Sequence, residues 1–232
     1  TQGNMTAITS IEIPQPVLDR LADGWAVFPL WECSGVGVCA CPDGARCASP
    51  GKHPRTAHGV KDASDDEKQI RRWAAQYNGC NWGAAMGKPS GVVTLDIDPR
   101  NMGDDSLADL EAEHGELPAT LTQITGGGGL HYVFQRPAGS GYTGTVVADG
   151  IDFKAGGGYI VIAPSNHASG GGYEWDAGQS DEVADMPSGT QGKILRVLVD
   201  QQFLRVGGSD KVRVDLRVIS STSRDLQTEI AA

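Results

Sequence analysis

The feature that most constrains the fold is a series of short apolar segments between residues 81 and 164, separated by Pro, Gly and Asn. Six of them have the length and composition of β-strands: NWGAAM (81–86), GVVTLDID (91–98), TLTQIT (120–125), LHYVFQ (130–135), GIDFKA (150–155) and YIVIAP (159–164). A helical segment, SLADLEAEHG (106–115), follows the second strand. This order predicts an α+β fold with helices on one face of a sheet.

Two helices and a short strand are predicted before this series. QPVLDRLADGW (15–25) has helical spacing and stops at Gly24, and WAVFPL (25–30) has the composition of a buried strand. SDDEKQIRRWAAQY (64–77) begins with Ser64 three residues before Glu67, the pattern of a capping box. Its apolar residues recur at helical spacing: Ile70, Trp73, Ala74 and Tyr77.

The length of 232 residues predicts one domain with appendages. We interpret residues 1–4 as the remnant of an expression tag before a natural start at Met5, and residues 5–178 as the folded domain. Residues 179–232 are predicted to be a linker and an extension, in which KILRVLVDQQFL (193–204) forms a helix and KVRVDLRV (211–218) a strand. No run of about 20 apolar residues and no signal peptide is evident, so a soluble cytoplasmic protein is expected.

The formal net charge of -10 disfavours a protein that grips nucleic acid by bulk electrostatics. Between residues 46 and 72, however, seven basic residues outnumber four acidic ones, so one positive patch is expected. Within it, Lys52, Arg55 and Lys61 are predicted to contact a template strand or an initiating nucleotide.

Two aspartates stand one residue apart at the end of the apolar strand VVTLDID (92–98). Side chains alternate along a strand, so Asp96 and Asp98 share one face while Leu95 and Ile97 enter the core on the other. Two carboxylates this close repel one another unless a cation neutralises them, and oxygen ligands select hard ions such as Mg²⁺ or Mn²⁺. The alternative is an aspartate pair that caps a turn at the strand end.

Two glycine-rich segments accompany this pair. GGGGLHYVF (126–134) leads into a strand that carries His131, and GIDFKAGGGYIVIAPS (150–165) carries Asp152 and Lys154. Glycines allow a backbone to approach a ligand closely, and their amides can face phosphate oxygens. The alternative for His131 is an ordinary core or surface histidine.

Residues 31–59 have no helical or strand period and are rich in Cys, Gly and Pro. An aperiodic loop of this length needs a ligand to order it. Its residues Cys39, Cys41, Cys47 and His53 are spaced closely enough to bind one structural Zn²⁺, with Cys33 competing for a ligand position. The alternative is a set of reduced, non-ligating cysteines; Cys80 is interpreted as a buried thiol.

Together, CACPDGARCASPGKHP (39–54), NWGAAMGKPSG (81–91), VTLDIDP (93–99) and the two glycine-rich segments resemble the bifunctional DNA primase/polymerase domain of the archaeo-eukaryotic primase superfamily. Proteins with this domain take part in plasmid and phage replication. The resemblance covers roughly residues 20–176. It implies an N-terminal α/β unit, containing the zinc loop, packed on a sheet module similar to an RNA-recognition motif.

The resemblance also implies a site made of three motifs: Asp96 with Asp98, Gly129 with His131, and Asp152. The three acids would hold two Mg²⁺ or Mn²⁺ ions for phosphoryl transfer from a dNTP or NTP to a primer on single-stranded DNA. It further implies nucleotide contacts by His131 and Lys154, with Gly128, Gly129, Lys88 and Ser90 as additional candidates. The family often has Ser at the position of Gly129, so any hydroxyl contact here must come from another residue or be absent.

Two other functions use the same residues. A metal-dependent nuclease or phosphohydrolase would cleave phosphodiesters with the same acids, whereas a non-catalytic zinc module would recruit replication proteins and bind no Mg²⁺ or Mn²⁺ at Asp96. Because replication proteins of this kind usually carry a helicase, a helicase module is expected in the full-length protein.

Overall fold

The computed structural model describes residues 12–200, 202–204 and 211–213, to which all structural statements refer. Residues 1–4 and the predicted extension after residue 213 lie outside them. The helices are α1 (Gln15–Ala22), α2 (Glu67–Gln76), α3 (Gly103–His114) and α4 (Ser188–Asp200). No helix among the described residues combines the length and apolarity that a membrane span requires.

Fourteen strands are described in these ranges. They are β1 (Val27–Leu30), β2 (Cys33–Gly35), β3 (Val38–Cys39), β4 (Asn81–Ala85), β5 (Val92–Ile97), β6 (Thr122–Ile124), β7 (Leu130–Gln135), β8 (Thr145–Ala148), β9 (Ile151–Lys154), β10 (Tyr159–Ile162), β11 (Glu174–Trp175), β12 (Ala184–Asp185), β13 (Gln202–Leu204) and β14 (Lys211–Arg213). The mixed order of helices and strands predicted from the sequence is confirmed.

Two sheets form the body of the fold. The small sheet has the antiparallel order β1-β4-β10. The large sheet has the order β11-β6-β7-β5-β9-β8 with antiparallel neighbours, and β12 joins it parallel to β7. Strand β5 therefore lies between β7 and β9 and is hydrogen-bonded on both edges.

The two faces of the large sheet pack differently: one packs on α4, and the other carries the site and packs on the small sheet through Val92 and Val133. Along β5, alternation buries Val93, Leu95 and Ile97 in a cluster that includes Ile194 of α4. Asp96 lies on the opposite face, which confirms the alternation predicted for this strand. The core thus fixes the orientation of the Asp96 side chain, because a register slip of one residue would place the acid among apolar groups.

Helix α2 is present, but its predicted capping box is wrong. Asp66 is the N-cap, and its Oδ1 accepts a hydrogen bond from Lys68 N at 3.0 Å. Ser64 Oγ instead accepts from Asp66 N, and Glu67 forms an ion pair with Arg71 one turn later. Three consecutive residues suitable for capping precede the helix, and the one adjacent to its first turn takes the role.

The segment predicted as a linker after Trp175 is attached to the large sheet. Leu121 N donates to Glu182 O at 2.8 Å, β12 pairs with β7, and Met186 is buried. The predicted helix over 193–204 begins earlier, at Ser188, and ends at Asp200, because Gln202–Leu204 forms β13. Backbone pairing of this kind has no side-chain signature, so composition alone indicated a linker.

Candidate active site

The register of three neighbouring strands brings together residues that are far apart in the sequence. On β5, Asp96 is paired with His131 of β7 on one side and with Asp152 of β9 on the other. Directly paired residues point to the same face of a sheet, so the three side chains form one row. The structure therefore places one residue from each of the three predicted motifs side by side.

A lysine lies between the two carboxylates of this row. Lys154 Nζ is 2.6 Å from Asp152 Oδ2 and 3.6 Å from Asp96 Oδ2. Its ammonium group is therefore a cation shared by the two acids. Oxygen donors that share one positive charge in this way suit a hard divalent ion such as Mg²⁺ or Mn²⁺.

Electrostatics keep Asp96 ionised. Burial opposes its charge, but the hydrogen bond from His131 and the positive charges of Lys154 and Lys52 outweigh burial and lower the pKa of Asp96 to about 2. For Lys154, burial again opposes the charge, yet contacts with Asp152 and Asp96 raise the pKa of its ammonium. At neutral pH the row therefore contains charged groups.

Asp98 faces the same cavity but has a different partner. Its Oδ1 accepts from Arg100 Nε and its Oδ2 from Arg100 Nη2, both at 2.9 Å, and Asn101 Nδ2 also donates to Oδ2 at 2.9 Å. The hydrogen bonds from Arg100 lower the pKa of Asp98. Asp98 can therefore ligate a cation only if Arg100 gives up part of this fork.

Gln123 fixes the orientation of the His131 ring. Its Oε1 accepts from Ala163 N at 2.8 Å, so its Nε2 donates to Val161 O and to His131 Nδ1, each at 2.8 Å. Because Nδ1 accepts a hydrogen bond, the neutral ring carries its proton on Nε2, which is 3.4 Å from Asp96 Oδ1. His131 thus presents an N–H donor beside the acids.

The glycine at position 129 is required by close packing. A Cβ there would lie 2.3 Å from Ile97 O, so a serine would not fit without movement of the backbone. A hydroxyl is nevertheless nearby, because Thr125 Oγ1 accepts from Gly129 N at 2.9 Å and Thr125 lines the cavity. Thr125 is the candidate for the hydroxyl contact that the family pattern assigns to serine.

This packing gives a stability prediction. We expect Gly129→Ala to lower the free energy of unfolding by about 1–3 kcal/mol, since the added methyl group overlaps a strand carbonyl. The matched control is Gly127→Ala, whose Cβ would meet His167 Cε1 at 3.5 Å, an ordinary contact. Urea denaturation of both variants measures the difference. Equal stability of the Gly129→Ala and wild-type proteins would contradict the close packing.

A cavity of about 610 Å³ lies over the row of acids. Its walls include the following predicted site residues: Asp96, Asp98, Gly129, His131, Asp152 and Lys154. Lys52, predicted only as a contact to a template or an initiating nucleotide, also lines it. Three other predicted residues lie elsewhere: Ser90 Oγ accepts from Ala26 N in a buried contact, and neither Lys88 nor Gly128 lines the cavity.

Sequence reasoning missed several residues of the site, of which His167 is the clearest. It lines the cavity, is buried, and packs edge-on against Tyr173 with ring centroids 5.9 Å apart. Burial, followed by the charges of Lys52 and Arg100, lowers the pKa of His167, which favours the neutral ring. A single histidine in a loop rich in Ser and Gly gives no signal that would have identified it.

The cysteine loop forms a second candidate site. The ligand atoms of Cys39, Cys41, Cys47 and His53 all lie within 4.8 Å of one another. His53 Nε2 is 3.3 Å from Cys39 Sγ and 3.5 Å from Cys47 Sγ. In a tetrahedral zinc site with Zn–S bonds of about 2.3 Å, neighbouring ligand atoms are about 3.5–3.8 Å apart, so the cluster fits Zn²⁺.

The two remaining cysteines lie outside this cluster. Cys33 is buried, and its backbone N donates to Asn166 Oδ1 at 2.8 Å. Cys80 packs in the apolar core, where burial raises the pKa of its thiol to about 12. The geometry thus selects the four predicted ligands and leaves Cys33 out of the set.

Different parts of the chain are similar to different known proteins. The family described as bifunctional DNA primase/polymerase, N-terminal, matches residues 18–189, and the sigma-54 interaction domain matches residues 179–232. The nitrogen assimilation regulatory protein NtrX of Azorhizobium caulinodans is 65% identical over 52 residues, which are 22% of this chain and 12% of that protein. The response regulator protein FleR of Pseudomonas aeruginosa is 46% identical over 52 residues, 22% of this chain and 11% of that protein.

The chain therefore covers only a small part of the length of these curated relatives. The primase/polymerase match, by contrast, extends over most of the chain and includes both the acid row and the cysteine loop. On the extent of this match, the chain belongs to the bifunctional DNA primase/polymerase family.

Proposed function

We propose that this chain catalyses template-directed nucleotidyl transfer, with DNA primase and DNA polymerase activity, in plasmid or phage replication. The observation that carries the proposal is the strand register that aligns Asp96 with His131 and Asp152. Family membership supports an enzyme of the nucleotidyltransferase type. The substrates would be a dNTP or NTP, a primer and a single-stranded DNA template.

Asp96, Asp98 and Asp152 are the residues that would hold two Mg²⁺ or Mn²⁺ ions. When bound, such ions lower the pKa of a primer 3'-hydroxyl and neutralise charge on the triphosphate. In the free protein, Lys154 and Arg100 neutralise the acids by forming ion pairs with them. Once metal ions bind the acids, the side chains of Lys154 and Arg100 would be free to bind triphosphate oxygens.

His131 is proposed to donate from Nε2 to a triphosphate oxygen, because Gln123 holds its proton on that side. We expect His131→Ala to raise the KM for the nucleotide about ten- to a hundred-fold, the value of one hydrogen bond to a charged group, with a smaller change in kcat. Steady-state primer extension at varied dNTP measures both constants. His58→Ala is the matched control, because His58 is exposed. A His131→Ala variant with the wild-type KM would contradict the proposed role of His131.

One assay separates the proposed function from its rivals. The protein is incubated with single-stranded template, labelled primer, Mn²⁺ and either dNTPs or NTPs, and the products are sized. Template-dependent products longer than the primer support nucleotidyl transfer, and products shorter than the primer indicate a nuclease. Unchanged primer, together with no Mn²⁺ binding at Asp96, indicates a non-catalytic zinc module.

We propose that the large sheet is the module similar to an RNA-recognition motif, and that the small sheet with α1 and α2 is the N-terminal unit. Support comes from the antiparallel flanking of β5 by β7 and β9 and from α3, which follows β5 in the chain. The cysteine loop would hold one structural Zn²⁺, since four protein ligands leave no open position.

We propose that the C-terminal residues are part of a regulatory module. This proposal replaces the helicase module that was expected from the sequence. The similarity of residues 179–232 to a sigma-54 interaction domain supports this reading. The first part of this segment packs with the large sheet through Met186 and Ile194. A cytoplasmic location stays a prediction.

A further inference from the structure

The cysteine loop, residues 31–59, contributes a side chain to the catalytic cavity. Lys52 immediately precedes the cluster residue His53, and it lines the same cavity as Asp96 and Asp152. The loop and the acid row are thus parts of one site, although the motifs that identify them are separate in the sequence.

The backbone around Lys52 is held on both sides. Lys52 O accepts a hydrogen bond from Tyr159 OH at 2.8 Å, and the preceding Gly51 O accepts from Asn81 Nδ2 at 2.8 Å. Gly51 has a φ of +75°, and a Cβ there would lie 2.6 Å from Cys33 Sγ. On the other side, the carbonyl of His53 accepts from Trp31 N at 3.0 Å. This anchoring holds the backbone of Lys52 at the wall of the cavity.

Unlike Arg55 and Lys154, Lys52 has no ion-pair partner among the described residues. Arg55 pairs with Glu32 at 2.9 Å and lies over the ring of Trp31, and Lys154 pairs with Asp152 at 2.6 Å. Lys52, in contrast, is half-buried at the wall of the cavity and forms no ion pair with any described carboxylate, although its charge acts on Asp96. A partly desolvated ammonium in this position is suited to binding an anion.

We propose that Lys52 binds the triphosphate of the incoming nucleotide and that the cysteine loop thereby forms part of the nucleotide site. The inference rests on the proposed function, because it takes the cavity to be the nucleotide site. The inference links the cysteine cluster to the nucleotide site, because the residues that order the loop around His53 also set the position of Lys52.

The test is nucleotide affinity in the zinc-loaded protein, measured by isothermal titration calorimetry with a dNTP and Mn²⁺ and, separately, with tripolyphosphate alone. We expect Lys52→Met to weaken both affinities about ten- to a hundred-fold, the value of a charge-assisted hydrogen bond. Lys52→Arg should retain most of the affinity, and Lys68→Met, which removes an exposed lysine on α2, should retain all of it. Zinc per chain should be unchanged in each variant.

The outcomes separate this inference from the proposed function. Wild-type protein that extends primers, together with Lys52→Met protein of wild-type affinity for both probes, would overturn the inference and leave the function standing. Tripolyphosphate binding that depends on Lys52 in a protein without primer extension would uphold the anion site and overturn the function. Loss of zinc from Lys52→Met would overturn the inference, since the lysine would then act on loop structure and not on phosphate.

Discussion

Replacing Asp96 by Asn is expected to lower the rate of primer extension at least about a thousand-fold. Asparagine keeps the shape of the side chain but removes the charge that would hold a divalent ion between Asp96 and Asp152. Such an ion contributes several kcal/mol of transition-state stabilisation, and each 1.36 kcal/mol corresponds to about a factor of ten in rate. The measurement is the single-turnover rate of primer extension with saturating dNTP and Mn²⁺.

The matched control is Asp109→Asn on the exposed surface of α3, which makes the same change of charge outside the cavity and should extend primers at the wild-type rate. Because the pKa of Asp96 is about 2, the carboxylate is ionised throughout the working range, and the deficit of Asp96→Asn should be the same at pH 6 and pH 8. A variant that keeps more than a tenth of the wild-type rate would remove Asp96 from the mechanism.

Ionisation of Asp96 also affects stability in acid. Its pKa is lowered on folding from an ordinary value of about 3.9, so its stabilising contribution is fully present above about pH 4. That contribution is lost as the pH falls through about 2. Asp96→Asn should therefore remove part of the stability at neutral pH, and a thermal unfolding control is needed beside the rate measurement.

Much of the sheet was predictable because its strands carry their own signals. Along β5 the apolar residues alternate with polar ones, and glycine or proline marks most of the joints between strands. Pairing partners were not predictable from the sequence alone. That Asp96 lies opposite both His131 and Asp152 depends on β5 lying between β7 and β9, an order that does not follow the chain.

The residues that escaped prediction act through contacts between distant segments. Gln123 orients His131 only because β10 and the residue that follows it bring the backbone of Val161 and Ala163 to its amide group. Arg100 was given no role from the sequence, yet its guanidinium forms two hydrogen bonds with the carboxylate of Asp98. Single polar residues in short strands and loops carry no periodic signal, so their roles depend on tertiary structure.

The second large effect that we expect follows from the substitution of one cysteine of the cluster. Cys47→Ala should reduce bound zinc from one ion per chain to nearly none and lower Tm by about 10 °C or more, because metal binding in such sites contributes directly to folding. The reason is local: most of the segment from Pro42 to Pro50 is exposed and contributes little apolar burial of its own. Elemental analysis of protein purified without chelator and scanning calorimetry provide the two measurements.

Two cysteines outside the cluster serve as controls. Cys80→Ala and Cys33→Ala remove buried thiols and should each retain one zinc per chain, although both lose some packing. Zinc retained by Cys47→Ala but lost by Cys33→Ala would show that the ligand set is wrong. Because His53 adjoins Lys52, the zinc-free protein should also bind tripolyphosphate more weakly. A Cys47→Ala protein with the wild-type Tm and wild-type tripolyphosphate affinity would contradict both the structural role of the metal and its link to the nucleotide site.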